Sequence, residues 1–164
     1  MNIHGLHHNA YRCRDVEETR KFYEDFLGLP LVNAFEIGES KSGRETHTIH
    51  IFFQMKDGSS LAFFETDDFP FEFKDQHDYD LHIALEVPLE DLEPWLEKGR
   101  AAGLETRGPA DHDFIHSIYF RDPNGYVIEL CGKLPHHDAA MDPAKNGARQ
   151  AVDAWQRKKQ ESAA

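Results

Sequence analysis

Cysteine and long apolar runs are both scarce in this sequence. Its two cysteines, Cys13 and Cys131, are too few for a disulfide framework. Both lie in predicted β-strands, where a free thiol acts as a small apolar side chain. No apolar run approaches the roughly 20 residues of a membrane-spanning helix, and the N-terminus lacks a basic and apolar leader. We therefore expect a soluble, cytoplasmic protein with structural cysteines.

Positive charge is also scarce. The chain has 30 acidic and 18 basic residues, and its formal net charge is −12. Nucleic acid and anionic membrane surfaces would be repelled by such a protein. We therefore exclude both as partners and expect a small-molecule substrate. A length of 164 residues suits one ordinary domain, or two small modules that share a core.

The two halves of the sequence predict the same order of elements: a strand, a helix that ends at glycine, and three more strands. In the first half, the predicted elements are residues 5–13, 16–27, 31–37, 46–55 and 61–65. In the second half, they are residues 82–87, 89–102, 104–107, 114–120 and 126–131. The sequence therefore predicts two βαβββ modules at 1–66 and 80–132, with a linker at 67–79 and a partly helical tail at 133–164.

Three residues with metal-binding side chains lie in separate predicted strands: His8, His82 and Glu129. His8 and His82 precede the glycine that ends their module's helix by about the same distance, which indicates equivalent positions. Two imidazoles and one carboxylate on a single metal leave three coordination positions open. His7 lies on the opposite face of the first strand and is the alternative to His8.

Each of these residues taken alone has an ordinary interpretation. The histidines could belong to the core or the surface, and Glu129 could pair with an arginine. Glu129 nevertheless lies in a short apolar strand, and an unpaired buried carboxylate is costly. The three positions together favour metal binding.

Three segments resemble the vicinal oxygen chelate superfamily, which includes glyoxalase I, fosfomycin and bleomycin resistance proteins and extradiol dioxygenases. They are the stretch from His8 through Arg14-Asp15-Val16 and Arg20-Lys21-Phe22-Tyr23 to Gly28-Leu29, the stretch 82–87, and the stretch 122–130. The resemblance covers residues 4–132. It implies an α+β fold in which two βαβββ modules form a half-open barrel.

The same resemblance implies a metal on the concave face of the sheets. It selects His8 over His7 and gives His8, His82 and Glu129 as ligands. It also implies a homodimer with modules paired across the subunits, in which each metal takes His8 from one subunit and the other two ligands from the second. The dimer would then be required for activity.

The resemblance to glyoxalase I implies a fourth ligand, a glutamate on the last strand of the first module. Alignment of residues 61–65 with the closing strand of the second module, across turns that are predicted to differ in length, puts Phe63 at that position. Glu65 has the same parity but lies two residues away. A three-ligand site favours an Fe(II) extradiol-type dioxygenase that acts on a catechol-like substrate with vicinal oxygens.

The residues around the last turn resemble the extradiol dioxygenase signature. His112, Tyr119 and Glu129 match it, and Ala110 departs from its first position. The resemblance implies an acid/base role for His112 or His116 and a hydrogen-bond donor role for Tyr119. His116 and Tyr119 have opposite parity on a regular strand, so we rank Tyr119 first, His112 second and His116 third.

Two alternative functions are open at this point. A glyoxalase-like lyase or isomerase, or a fosfomycin-type thiol transferase, would use Mn, Ni or Zn as a Lewis acid. The transferases surround the metal with phosphate-binding cations, however, and Arg12 is the only basic residue predicted on the concave face. A metal-free binding protein of the bleomycin-resistance type would lack the three ligands. We therefore expect a divalent-metal enzyme, with Fe(II) favoured.

Overall fold

The computed structural model describes residues 2–73 and 77–162. These form two compact units, one of Met1–His82 with Arg121–Val127 and one of Ile83–Phe120 with Ile128–Ala164. The strands are β1 (His8–Arg12), β2 (Leu31–Glu39), β3 (Glu45–Gln54), β4 (Ser60–Thr66), β5 (His82–Glu86), β6 (Thr106–Asp111), β7 (Ile115–Arg121) and β8 (Val127–Lys133). The helices are α1 (Val16–Arg20) with a π-helical continuation (Lys21–Phe26), α2 (Leu92–Ala101) after a 3-10 turn (Leu89–Asp91), α3 (His137–Ala140) and α4 (Ala148–Ser162).

The strands form two four-stranded sheets, with the orders β1-β4-β3-β2 and β5-β8-β7-β6. Each sheet thus places its first strand beside its last strand and its second strand at the far edge. The same order in both halves confirms the predicted α+β class and the two βαβββ modules. None of the helices in the described residues has both the length and the apolar character that are needed to cross a membrane.

Helix α1 begins at a capped residue and widens after its first five residues. Asp15 has an extended backbone, and its carboxylate accepts a hydrogen bond from Glu18 N at 2.7 Å. In the π-helical continuation, Leu27 N donates to Phe22 O, five residues back. Two consecutive aromatic side chains of this segment, Phe22 and Tyr23, lie in the core.

The aromatic side chains of this helix pack on one face of the first sheet. The Tyr23 ring centroid lies 4.7 Å from that of Phe63 and 5.4 Å from that of Phe53. Leu61 and Phe63, which alternate along β4, are fully buried on this helix-covered face. The Tyr23 hydroxyl donates to the carboxylate of Asp122 at 2.9 Å, and burial raises the pKa of that carboxyl.

The two modules close their last two strands with hairpin connections of equal length. In the first module, Met55 N donates to Ser59 O at 2.8 Å, and in the second, Asp122 N donates to Tyr126 O at 2.9 Å. Three residues separate the donor from the acceptor in both cases. The residues of the two hairpins therefore correspond one to one.

Besides the bond from Tyr23 to Asp122, hydrogen bonds of Asn124 and Tyr126 hold the second hairpin in the first unit. The Asn124 amide accepts from Arg14 N at 2.8 Å and donates to the Thr19 hydroxyl at 3.2 Å. The Tyr126 hydroxyl donates to Arg12 O at 2.9 Å. These bonds explain why residues 121–127 belong to the first compact unit.

The second unit has its own core beneath α2. Leu92 and Leu96 are buried on one face of this helix. Gly99 lies on the same helix, where an added Cβ would come within 2.3 Å of the Phe120 ring and 2.7 Å of the Thr106 methyl group. A glycine is required there because α2 approaches β6 and β7 so closely.

Candidate metal centre

The register of β1 on β4 decides which residues share a face with His8. The strands are parallel, and His8, Ala10 and Arg12 pair with Ser60, Ala62 and Phe64 respectively. Side chains of paired residues project from the same side of a sheet. The face that carries His8 therefore carries Ala62 and Phe64, and it is opposite to the helix-covered face.

Equivalent backbone hydrogen bonds end the first strand of each module. Cys13 N donates to Phe64 O at 2.9 Å, and Val87 N donates to Cys131 O at 3.0 Å. Counting back five residues from each donor gives His8 and His82. The two histidines therefore occupy equivalent strand positions, as the sequence repeat predicts.

The assignment of Phe63 as the residue at the fourth-ligand position is wrong. Two residues before the acceptors of these hydrogen bonds, the first module has Ala62 and the second has Glu129. Phe63 lies on the opposite face against the helix, as does Glu65, whose carboxylate accepts a hydrogen bond from Val16 N. The sequence predicts turns of different length, whereas the two hairpins have equal length, which shifts the correspondence by one residue.

His8 is exposed at the start of β1 and is hydrogen-bonded to His7. Its Nδ1 lies 2.7 Å from Nδ1 of His7, so one ring donates a hydrogen bond and the other accepts it. The His8 ring centroid is 5.4 Å from that of Phe52 and 6.3 Å from that of His50. His7 lies just outside the strand.

His82 is exposed at the start of β5 and contacts the chain that precedes it. Its Nδ1 lies 3.1 Å from the carbonyl oxygen of Asp78. A carbonyl can only accept, so Nδ1 carries the proton. In the neutral ring, the lone pair then lies on Nε2, the usual arrangement of a histidine ligand whose second nitrogen is held by a carbonyl.

Glu129, Tyr119 and His112 lie together in the second unit. Glu129 is only 6% exposed on β8, and its Oε1 is 3.5 Å from the Tyr119 hydroxyl. That hydroxyl lies 2.7 Å from Nε2 of His112, which follows the end of β6. Burial and the nearby charge of Glu129 raise the pKa of Tyr119. This arrangement can hold or transfer a proton beside a carboxylate.

His116 does not join this cluster. It pairs in register with Asp111, and its Nε2 lies 3.7 Å from the Asp111 carboxylate. The alternation of β7 directs it away from the face of Tyr119. Of the three candidates for acid/base roles, Tyr119 and His112 contact each other.

The sequence did not indicate Arg107 as part of this face. Arg107 pairs in register with Tyr119, and its guanidinium lies 5.6 Å from the Tyr119 ring centroid. Its pairing depends on an irregularity in β6 after Arg107, which cannot be counted from the sequence. Arg12, the predicted cation, lies 4.5 Å from the Phe69 ring centroid and donates to Phe69 O at 3.3 Å.

Aromatic rings line the His8 face of the first sheet. His50 stacks on Phe64 with their centroids 3.6 Å apart and an angle of 7° between the rings, and Phe52 lies 4.3 Å from His50. His50 Nδ1 lies 2.9 Å from Phe63 O, and burial lowers the pKa of the His50 ring. In the sequence, the alternation of residues 48, 50 and 52 along a predicted strand indicates that His50 and Phe52 share one face.

The described residues of one chain contain no group of three His, Cys, Asp or Glu side chains that could hold a metal ion. His8 belongs to the first unit and Glu129 to the second. The structure thus joins Glu129 to Tyr119 and His112, and it does not gather the three predicted ligands into one cluster.

Comparisons with known proteins agree on one family. The model of the glyoxalase/bleomycin resistance protein/dioxygenase superfamily matches residues 5–130. Metallothiol transferase FosB of Staphylococcus epidermidis is 27% identical over 135 residues, covering 79% of this chain and 82% of FosB. Lactoylglutathione lyase of Haemophilus influenzae is 30% identical over 127 residues, covering 75% of this chain and 88% of the lyase.

A solved structure shares the fold. The fosfomycin resistance protein FosX of Listeria monocytogenes, in a mutant form, matches with a TM-score of 0.62 at 20% identity, covering 84% of this chain and 98% of FosX. That crystal structure contains Mn(II) and 1S,2S-dihydroxypropylphosphonic acid. At this identity, the likeness supports the fold.

Proposed function

This chain belongs to the glyoxalase/bleomycin resistance protein/dioxygenase superfamily, and from that premise we propose that it is a divalent-metal enzyme acting on adjacent oxygen atoms of a small substrate. We favour a transferase that joins a thiol to such a substrate, with a lyase or isomerase as the closest variant. The names of the relatives, a metallothiol transferase and a lactoylglutathione lyase, support Lewis-acid chemistry with Mn, Ni or Zn over oxidation with Fe(II).

The donor set fits a divalent metal. His8, His82 and Glu129 would provide two imidazole nitrogens and one carboxylate, a combination that suits Mn, Ni, Zn and Fe(II). Nδ1 of each histidine contacts another group, which favours Nε2 as the ligand atom. Because no three ligands gather in the described part of one chain, we propose a homodimer that combines His8 of one subunit with His82 and Glu129 of the other.

The observation that carries the proposal is the replacement of the fourth acid by Ala62. An alanine at the position equivalent to Glu129 leaves three protein ligands, as in the fosfomycin-type transferases. The four-ligand site implied by glyoxalase I would need an acid there. A three-ligand set also leaves more of the coordination sphere to the substrate.

A bound metal would supply Lewis-acid stabilisation of negative charge on the substrate oxygens. The chain itself provides the other functions. The protonated Tyr119 hydroxyl can donate a hydrogen bond to a substrate oxygen, and His112, at 2.7 Å, can return a proton to that hydroxyl. Arg107 contributes a positive charge beside the same ring. An anionic group on the substrate would be attracted to it.

The first test is the metal content of the protein purified without added metal. We expect a transition metal at about one per subunit, and its loss in His82→Ala. His116→Ala is the matched control, because His116 pairs with Asp111 outside the proposed ligand set. Loading with Mn, Ni or Zn, followed by assays of thiol addition to fosfomycin and of hemithioacetal isomerisation, then assigns the reaction. If the purified protein binds no transition metal, the proposed metal-dependent activity is wrong. A metal-free small-molecule binding protein is then favoured.

An Fe(II) extradiol-type dioxygenase is the second candidate. The 2.7 Å contact between His112 and Tyr119 favours it, because the dioxygenase signature implies these two roles beside the metal. The test is oxygen uptake by the Fe(II)-loaded protein with a panel of catechols. Oxygen uptake that is lost in Tyr119→Phe would favour the dioxygenase. If the Fe(II)-loaded protein takes up no oxygen and the Mn-loaded protein transfers a thiol, the transferase is favoured.

A further inference from the structure

The turn before β5 holds the ring of His82. Asp80 N donates to His77 O at 2.8 Å and closes this turn, which contains Asp78. The Asp78 carbonyl then lies 3.1 Å from His82 Nδ1. This backbone carbonyl can only accept a hydrogen bond and therefore favours the tautomer of His82 with the proton on Nδ1.

A side chain from a different strand contacts that turn. Arg121, the last residue of β7, has its Nη2 3.5 Å from the Asp78 carboxylate. Its Nη1 donates to Gly125 O at 2.8 Å. Both side chains of the pair are about one third exposed. The guanidinium therefore links the turn before β5 to the second hairpin.

The hairpin at the other end of this link is itself firmly held. Asp122 accepts from Tyr23, and Asn124 contacts Thr19 in the buried core of the first unit. A Cβ at Gly125 would lie 2.4 Å from the Phe73 ring, so the linker packs directly on the hairpin. Arg121 thus connects a rigid anchor to the Asp78 turn.

We infer that Arg121 is a positioning residue for the metal ligand His82. Through the Asp78 turn, it keeps the carbonyl on Nδ1 and so presents the Nε2 lone pair of His82 to the metal. This inference rests on the proposed role of His82 as a ligand. Partners of this kind typically change metal affinity by about 10–100-fold.

The test compares Arg121→Gln with wild-type protein in two measurements. In the metal-free protein, long-range 1H–15N spectra report the His82 tautomer, and the signal is assigned by its absence in His82→Ala. We expect the Nδ1–H form in wild type and a mixture with the Nε2–H form in Arg121→Gln. Titration with Mn(II) should show at least about a tenfold loss of affinity in the variant.

Two further variants separate positioning from general damage. Asp78→Ala keeps the backbone carbonyl but removes the carboxylate, so it should match Arg121→Gln, and the double variant should be no weaker than either single one. Arg44→Gln is the matched control, because it removes a 3.3 Å pair with Asp68 elsewhere in the same unit. It should leave the tautomer and the Mn(II) affinity unchanged.

The outcomes distinguish this inference from the proposed function. An unchanged His82 tautomer in both Arg121→Gln and Asp78→Ala would overturn the role of Arg121. Failure of wild-type protein to bind Mn(II) would overturn the metal site, while the tautomer comparison, made without metal, would still decide what Arg121 does.

Discussion

The two modules place opposite chemistry at equivalent strand positions. Phe52 and Tyr119 each lie three residues before the first residue of their hairpin, and Ala62 and Glu129 each lie seven residues after it. The first module therefore has an aromatic ring and a methyl group where the second has a phenol and a carboxylate. The backbone positions are equivalent in the two modules, whereas the side chains at these positions are apolar in the first module and polar in the second.

The surroundings of these positions differ in the same sense. On the face of the first sheet, the His50 ring stacks on Phe64 and is directed to a backbone carbonyl, with its pKa lowered by burial. On the second sheet, His112 contacts the Tyr119 hydroxyl beside the charge of Glu129. The first module therefore places aromatic rings next to the candidate ligand His8. The second module contains Tyr119 and His112, whose side chains can exchange protons.

The largest expected effect comes from making the modules alike with Ala62→Glu. Ala62 is fully buried, so an uncompensated carboxylate there should lower the free energy of unfolding by about 3–5 kcal/mol. Urea denaturation measures the loss. Ala10→Glu is the matched control, because Ala10 pairs with Ala62 on the same face but is exposed. Unchanged stability with tighter metal binding in Ala62→Glu would show that this position accepts a fourth ligand.

A smaller effect is expected from removing the Tyr119 hydroxyl. Tyr119→Phe should keep its metal and lower kcat by about 100-fold, since a positioned proton donor typically contributes that much. Adding Phe52→Tyr to this variant puts a hydroxyl at the equivalent position of the first module. It should not restore the rate, because the first module has Ala62 where the second has Glu129. If Phe52→Tyr restores kcat in the Tyr119→Phe variant, a hydroxyl at either of the two equivalent positions is sufficient for activity.

The smallest effect concerns the two cysteines. Burial raises the pKa of the Cys13 thiol to about 12, and it also raises that of the half-buried Cys131. Because the thiolate is the reactive form, iodoacetamide at pH 8 should modify native Cys131 slowly and Cys13 more slowly still. Mass spectrometry of peptides gives both rates, with urea-unfolded protein as the reference. Equal rates in native and unfolded protein would contradict the buried position of Cys13.

The fold followed from local patterns in the sequence. Strand alternation, the glycines that end the helices and the Asp122-Pro123-Asn124-Gly125 turn were enough to predict both modules. The family resemblance added their arrangement. The π-helical half of the first helix was not predicted, because its spacing differs little from that of an α-helix over six residues.

The candidate site was predicted only in part. His8 and His82 lie at the equivalent positions that the repeat indicated. The contact between Tyr119 and His112 is a finding of the structure that the sequence did not predict. The alignment across the two turns predicts Phe63 at the position equivalent to Glu129, and the structure has Ala62 there. Arg107 was missed because its pairing with Tyr119 depends on an irregular strand.

The sequence by itself determined which residues have metal-binding and proton-transferring side chains, and the order of the strands that carry them. The tertiary structure decided which of these side chains share a face, because strand register is set by hydrogen bonds between segments far apart in the chain. A shift of one residue in that register would put Phe63 in place of Ala62 on the sheet face that carries His8. The contact between the Arg121 guanidinium and the Asp78 carboxylate, which lie 43 residues apart in the chain, is likewise decided only by the tertiary structure.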